Sequence, residues 1–195
     1  MEVTVRELTA DEWPSAARLA GRAIFDKDYV APVFGSDPLG RFVGMQDMYL
    51  GYQPVGKRLV LGSFAGSHLV ATAVAAAPGS CHICLRDLGQ GAGEDPFDRA
   101  FFELDSAIQP VHRRLPAHWY VAPVAVERGL QGGRLGSQLL SELHARAWAQ
   151  DTAPILLECE PAVAPFYRRH GYAEVQTFAG HGFDLVLMQA DGSRS

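Results

Sequence analysis

The stretch His118-Trp119-Tyr120-Val121-Ala122-Pro123-Val124-Ala125-Val126-Glu127-Arg128-Gly129-Leu130-Gln131-Gly132-Gly133-Arg134-Leu135-Gly136-Ser137-Gln138-Leu139-Leu140 decides the fold. Residues 118–126 form an aromatic and β-branched run that reads as a strand. A glycine-rich turn follows, and then Leu139, Leu140, Leu143 and Ala147 recur at helical spacing. A strand, a glycine-rich loop and a helix N-terminus together make an anion cradle. The first N–H groups of the helix lack intrahelical partners and point outward, and the helix dipole adds positive potential. Glycines keep side chains clear of a bound phosphate. The pattern therefore predicts a phosphorylated cofactor, against the plainer reading that the glycines only shape a tight strand-to-helix turn.

Two well-known phosphate loops fail on spacing. Gly129, Gly132, Gly133 and Gly136 never match the Gly-x-Gly-x-x-Gly of dinucleotide sites, and no Lys stands between Gly136 and Ser137 as a P-loop requires. Val124-Ala125-Val126 followed by Gln131-Gly132-Gly133-Arg134-Leu135-Gly136 instead resembles the coenzyme A loop of the GNAT acetyltransferases, Gln/Arg-x-x-Gly-x-Gly/Ala. Arg134 stands where that family usually has its middle Gly. Downstream, a short apolar strand, Ile155-Leu156-Leu157-Glu158-Cys159, precedes Pro165-Phe166-Tyr167-Arg168-Arg169-His170-Gly171-Tyr172. The latter resembles the family's Phe-Tyr-x-x-x-Gly-Phe/Tyr segment, with Val163 where the family often has Asn.

The resemblance implies a three-layer α/β/α fold with a mixed, mostly antiparallel central sheet. It also implies a splayed strand pair at the cofactor slot. Acetyl-coenzyme A is the implied cofactor, held by Val124, Ala125, Val126, Gln131, Gly132, Gly133, Arg134, Leu135, Gly136 and Ser137. The implied activity is acetyl transfer to a primary amine of a small molecule or peptide, by direct attack in a ternary complex. A coenzyme A-binding or regulatory domain that has lost the chemistry is the alternative.

Composition agrees with one soluble domain over residues 1–190 and a frayed tail at 191–195. At 195 residues the chain can bury a substantial core. A net charge of −5 argues against a nucleic-acid partner and favours a small cationic amine. No apolar run approaches the ~20 residues of a membrane span. The N-terminus, Met1-Glu2-Val3-Thr4-Val5-Arg6, has no apolar signal region. Three cysteines suggest no disulfide framework, so a cytoplasmic location is expected. A homodimer is left open. Cys81-His82-Ile83-Cys84 invites a metal reading, but no second Cys pair exists, and no metal is expected.

The remaining elements alternate. A strand is expected from Val3 to Leu8, then a capping box at Thr9 and Glu12 opening a helix to Phe25. A loop is expected over 28–35, a helix from Pro38 to Tyr52 capped by Asp37, and a hairpin of 59–64 with 69–76. Residues 78–96 read as a long loop, and Phe97 to Leu115 as a helix interrupted or ended near Pro110. Helices at 133–149 and 162–170 flank the 154–159 strand, and strands at 172–178 and 183–188 close the chain. Pro123, inside a strand run, removes a ladder donor and predicts a bulge or an unpaired edge.

The chemistry follows from the resemblance. An alkylammonium must lose a proton to attack, since its pKa is near ~10. The developing oxyanion needs a donor, for which the backbone N–H of Val124 or Val126 is suited. Tyr167 matches the family's thiolate-protonating tyrosine. For the base, Glu158 near the end of its strand and His118 at the head of the preceding one are the candidates, with Glu103 and Asp105 behind them. Proton transfer through a water chain would make none of them essential.

Overall fold

Side chains alternate across the sheet, so central strands buried on both sides, such as Leu185–Ala190, divide the core between two sheet faces. The computed structural model describes residues 3–27, 29–51, 56–91, 96–179 and 184–192. Among the described residues seven strands form one sheet: β1 (Val3–Glu7), β2 (Arg58–Ala65), β3 (His68–Ala76), β4 (Trp119–Val126), β5 (Ile155–Cys159), β6 (Ala173–Phe178) and β7 (Leu185–Ala190). Their order is β1-β2-β3-β4-β5-β7-β6. Every neighbouring pair is antiparallel except β4 and β5, which run parallel. The helices are α1 (Trp13–Ile24), α2 (Val30–Phe34), α3 (Pro38–Gly51), α4 (His82–Leu85), α5 (Pro96–His112), α6 (Leu135–Gln150) and α7 (Ala164–Arg168).

Along β5, Ile155, Leu157 and Cys159 meet Leu139, Leu140, Leu143 and Ala147 of α6. Leu156 points the other way, toward Ile108 and Val111 of α5. On that second face α1 and α3 pack with Ala125. The result is the expected three layers, sheet between helices. Among the described residues no helix is long and apolar enough to cross a membrane.

β4 carries the feature that opens the site. Against β3 its register runs Ala75↔Val121 and then Ala73↔Val124, so β4 has one residue more than its partner there. This is the bulge that Pro123 predicts. Because side chains alternate with period two, the extra residue flips the faces. Trp119 and Val121 point to the α6 side, and beyond the bulge it is Val124 and Val126 that do so, while Ala125 joins α1 and α3. On its other edge β4 pairs with β5 only at Trp119↔Ile155 and Tyr120↔Leu156. The two strands then part, giving the splay.

Several expectations need correction. The 28–35 loop contains α2, where Val30 and Val33 bury a small apolar stripe and Gly35, at φ +82°, ends the turn. Pro32 is tolerated because N–H groups of a first turn have no intrahelical acceptor. The 78–96 loop contains α4 and a 3-10 turn at Leu88–Gln90, with residues 92–95 outside the described ones. Pro110 does not end α5. Ile108 and Val111, both buried, carry the helix past it to His112. The helix expected from 133 begins at Leu135, since Arg134 at φ 67° is left-handed. Of the remaining expectations, Tyr52, Phe183 and the tail residues 193–195 lie outside the described residues.

Candidate functional site

The Glu127 N–H donates to Val70 O at 2.9 Å, so Glu127 faces β3. In an antiparallel ladder alternate residues bond to the same partner. Val126 and Val124 therefore turn their N–H and C=O groups away from β3, into the gap where β5 has departed. Gln131 closes the lower end of this edge, its Nε2 donating to Val126 O at 3.1 Å. The chain then crosses Gly132 at φ +79° and exposed Arg134 at φ 67°, both left-handed. Arg134 provides no side-chain cap for α6. The Leu135, Gly136 and Ser137 N–H groups thus emerge without intrahelical acceptors. A Cβ on Gly132 would meet nothing within 4 Å, which leaves the loop's outer side open. Gly136 lies beneath: a Cβ there would touch Phe166 Cζ at 3.5 Å and Val126 Cγ2 at 3.6 Å. Ser137 Oγ lies 3.0 Å from His170 Nε2, tying α6 to the segment after α7. These groups form a cradle that fits an anionic, extended ligand.

The splay opens on the other side into a cleft of about 220 Å³. Val121–Val124 of β4 and Glu158–Cys159 of β5 form its walls, with Tyr167 of α7 and residues of α2, α3 and α5 around them. Tyr167 is buried, and its hydroxyl makes no hydrogen bond to any described residue. Burial raises its pKa well above the usual tyrosine range. Three carboxylates, Asp105, Glu158 and Glu160, line the cleft together with Lys27. Burial pushes the Asp105 carboxyl up, against the opposing pull of Arg86, whose Nη1 donates to it at 2.6 Å.

Glu158 receives two donors. His112 Nε2 lies 2.5 Å from Oε1, and the Tyr120 hydroxyl donates to Oε2 at 2.6 Å. His118 does not line the cleft. It sits behind His112, with its Nε2 3.2 Å from His112 Nδ1, and reaches the cleft only through that ring and Glu158. Burial lowers its pKa. As a base in contact with an acceptor, His118 is therefore misplaced, and Glu103 is exposed and away from the cleft. His112, which links His118 to Glu158, escaped the sequence reading. It stands at the end of α5, beside no motif. Its six-residue spacing from His118 was the one available signal.

No family model and no curated protein matches the sequence. Solved structures do. A histone acetyltransferase HPA2 and related acetyltransferase from Corynebacterium glutamicum superposes with a TM-score of 0.70 at 18% identity, covering 100% of this chain and 99% of its own. The Drosophila melanogaster polyamine N-acetyltransferase, which forms N-acetylagmatine, gives 0.68 at 14% identity, with 97% and 100% covered. The PaiA N-acetyltransferase from Thermoplasma acidophilum, solved in complex with coenzyme A, gives 0.58 at 12%, with 98% and 99% covered. At these identities the likeness establishes a shared fold.

Proposed function

We propose that this chain, whose fold is that of the GNAT superfamily of N-acetyltransferases, transfers an acetyl group from acetyl-coenzyme A to the primary amine of a cationic small molecule or peptide. One observation carries the reading: the unpaired edge of β4 runs from the uncapped N-terminus of α6 to a cleft holding Tyr167 and three carboxylates. When bound, acetyl-coenzyme A would supply a thioester carbonyl open to attack and a thiol leaving group.

The chain's own residues have separable tasks. Gln131, Gly132, Gly133, Arg134, Leu135, Gly136 and Ser137 receive the phosphates, chiefly through backbone N–H groups at the start of α6. Val124 and Val126 N–H groups donate to the carbonyl oxygen as it gains negative charge, and Ala125 sets their spacing. Asp105, Glu158 and Glu160 attract an ammonium group into the cleft. Glu158 takes the amine proton: each carboxylate oxygen has two acceptor directions, so the bonds from His112 and Tyr120 leave capacity for it. Tyr167, neutral and with its hydroxyl making no hydrogen bond among the described residues, gives its proton to the departing sulfur. His118 positions His112 rather than touching an acceptor. The agmatine and polyamine named for structural neighbours are cations of the kind such a cleft suits.

Thermal-shift titrations with acetyl-coenzyme A, coenzyme A, NAD and ATP in parallel test the cofactor. A ligand at ~100 times its dissociation constant adds about 2.7 kcal/mol of stability. Stabilisation by the first two alone supports the reading, and silence from both would overturn it. Tyr167→Phe then separates a catalyst from a coenzyme A-binding domain without chemistry. The variant keeps its packing and its cofactor affinity, while turnover of an accepted amine falls by about 100-fold or more. A binding domain would acetylate no amine in either form.

A further inference from the structure

Cys81 and Cys84 find in the fold the ligand pair that the sequence does not place beside them. Cys81 caps the single turn of α4, and Cys84 lies three residues on, so both belong to one helical face. α4 packs against the C-terminal half of α5, which ends at His112. The chain turns back through 113–117 and delivers His118 at the head of β4. The four ligand atoms, two sulfurs and two ring nitrogens, lie within 4.8 Å of one another. We propose that Cys81, Cys84, His112 and His118 bind one zinc ion.

The hydrogen bonds on the far side of each imidazole argue for this. Pro116 O can only accept, so the 2.8 Å contact from His118 Nδ1 places the proton there and leaves a lone pair on Nε2. Glu158 Oε1 accepts from His112 Nε2 at 2.5 Å, so the neutral ring, the form a metal binds, carries its lone pair on Nδ1. These two lone pairs face each other across 3.2 Å, with Cys81 Sγ 3.8 Å from His112 Nδ1. The Cys81 thiol hydrogen can serve only one of these two acceptors, whereas a cation there satisfies both. A carbonyl or carboxylate behind each metal-binding imidazole is the usual arrangement that fixes its tautomer.

The two contacts of His112 Nδ1, 3.2 Å to His118 Nε2 and 3.8 Å to Cys81 Sγ, agree with the dimensions of such a site, and the farthest pair of ligand atoms, within 4.8 Å, would draw in on binding. With Zn–N of about 2.0–2.1 Å and Zn–S of about 2.3 Å, tetrahedral ligand atoms stand roughly 3.3–3.8 Å apart. Two sulfurs with two nitrogens in that geometry favour zinc over harder or planar-coordinating metals. Two thiolates and two neutral imidazoles also cancel the charge of the dication, as a buried site requires: Cys81, His112 and His118 are each under 5% exposed. Binding displaces the two thiol protons to solvent. With four protein ligands the site is closed, hence structural. It would lock α4, the end of α5 and the head of β4 together and fix the ring that holds Glu158.

Metal analysis of the purified chain, together with cobalt substitution, tests the proposal. We expect one zinc per chain, and on exchange for cobalt the intense visible bands of a tetrahedral thiolate complex. The spectrum needs no variant. Chelation should expose Cys81 and Cys84 to an alkylating reagent from which the metal shields them. Cys84→Ser, at the least buried of the four positions, should lower cobalt affinity at least tenfold, whereas Cys159→Ser should leave the stoichiometry unchanged. Less than a tenth of an equivalent of zinc with no tetrahedral cobalt spectrum, a Cys81–Cys84 disulfide in the isolated protein, or undiminished metal affinity in Cys84→Ser would each overturn it.

Discussion

Arg134 holds φ 67° and ψ −9°, a conformation that costs a non-glycine residue about 1 kcal/mol. Left-handed backbone at this point is what turns the chain from the exposed loop into α6 and aims the Leu135, Gly136 and Ser137 N–H groups outward. Glycine would adopt it freely, yet lose more entropy on folding. The two effects oppose each other, so Arg134→Gly should shift the melting temperature by no more than a few degrees. If the guanidinium assists the phosphates, the same change weakens coenzyme A binding by about 3- to 10-fold, the upper figure corresponding to about 1.4 kcal/mol. The loss should shrink as salt is raised, since the side chain is exposed. Isothermal titration at two ionic strengths measures both. An unchanged dissociation constant would leave the position a purely backbone role.

At the scale of elements, the cleft depends on how closely α3 approaches α2. A Cβ on Gly44 of α3 would lie 2.2 Å from Phe34 Cδ1 at the end of α2, far inside contact distance. α2 is one turn long and cannot yield without moving Tyr29 and Val33, which line the cleft. Gly44→Ala gains up to about 1 kcal/mol of helix propensity. Overpacking costs about 1–3 kcal/mol. Urea unfolding should therefore show net destabilisation, and the KM for an accepted amine should rise while coenzyme A affinity holds. A variant as stable as the parent would mean that Phe34 moves freely. The elements that form this wall are also those the sequence concealed. α6 announces itself through Leu139, Leu140 and Leu143 because it is long enough to show a period, and β5 through the apolar run Ile155-Leu156-Leu157. Helices of one turn, such as α2 and α4, have none to show. The bulge in β4 was legible because Pro123 cannot donate within a ladder. Tyr167 was singled out by the resemblance of its segment and Glu158 by its place near the end of β5, and both line the cleft. His112 was not, because it meets Glu158 across 46 residues of chain, a proximity only the assembled sheet creates.

For the molecule as a whole, buried histidines set how stability answers to acid. His144 of α6 is buried, with Nε2 2.8 Å from the Tyr172 hydroxyl. Burial raises the Tyr172 pKa, so the hydroxyl keeps its proton and donates, and the imidazole accepts as a neutral ring. Burial above all, with His170 second, lowers the His144 pKa to about 4. In the unfolded chain the ring titrates near its ordinary value of 6.5. Between these two values the unfolded chain binds a proton that the native state refuses. Stability therefore falls as pH drops from about 6.5 toward 4 and levels off below. A shift of this size corresponds to roughly 3 kcal/mol. His170 is lowered too, chiefly by burial, and adds slope of the same sign. His144→Gln isolates the first contribution: the amide oxygen can still accept from Tyr172 but does not titrate. Denaturant unfolding measured from pH 7.5 down to the acid limit of reversibility should give the variant a shallower decline below about pH 6.5. Parallel curves for the two proteins would show that His144 is protonated equally in both states, and would place the acid sensitivity of the fold elsewhere.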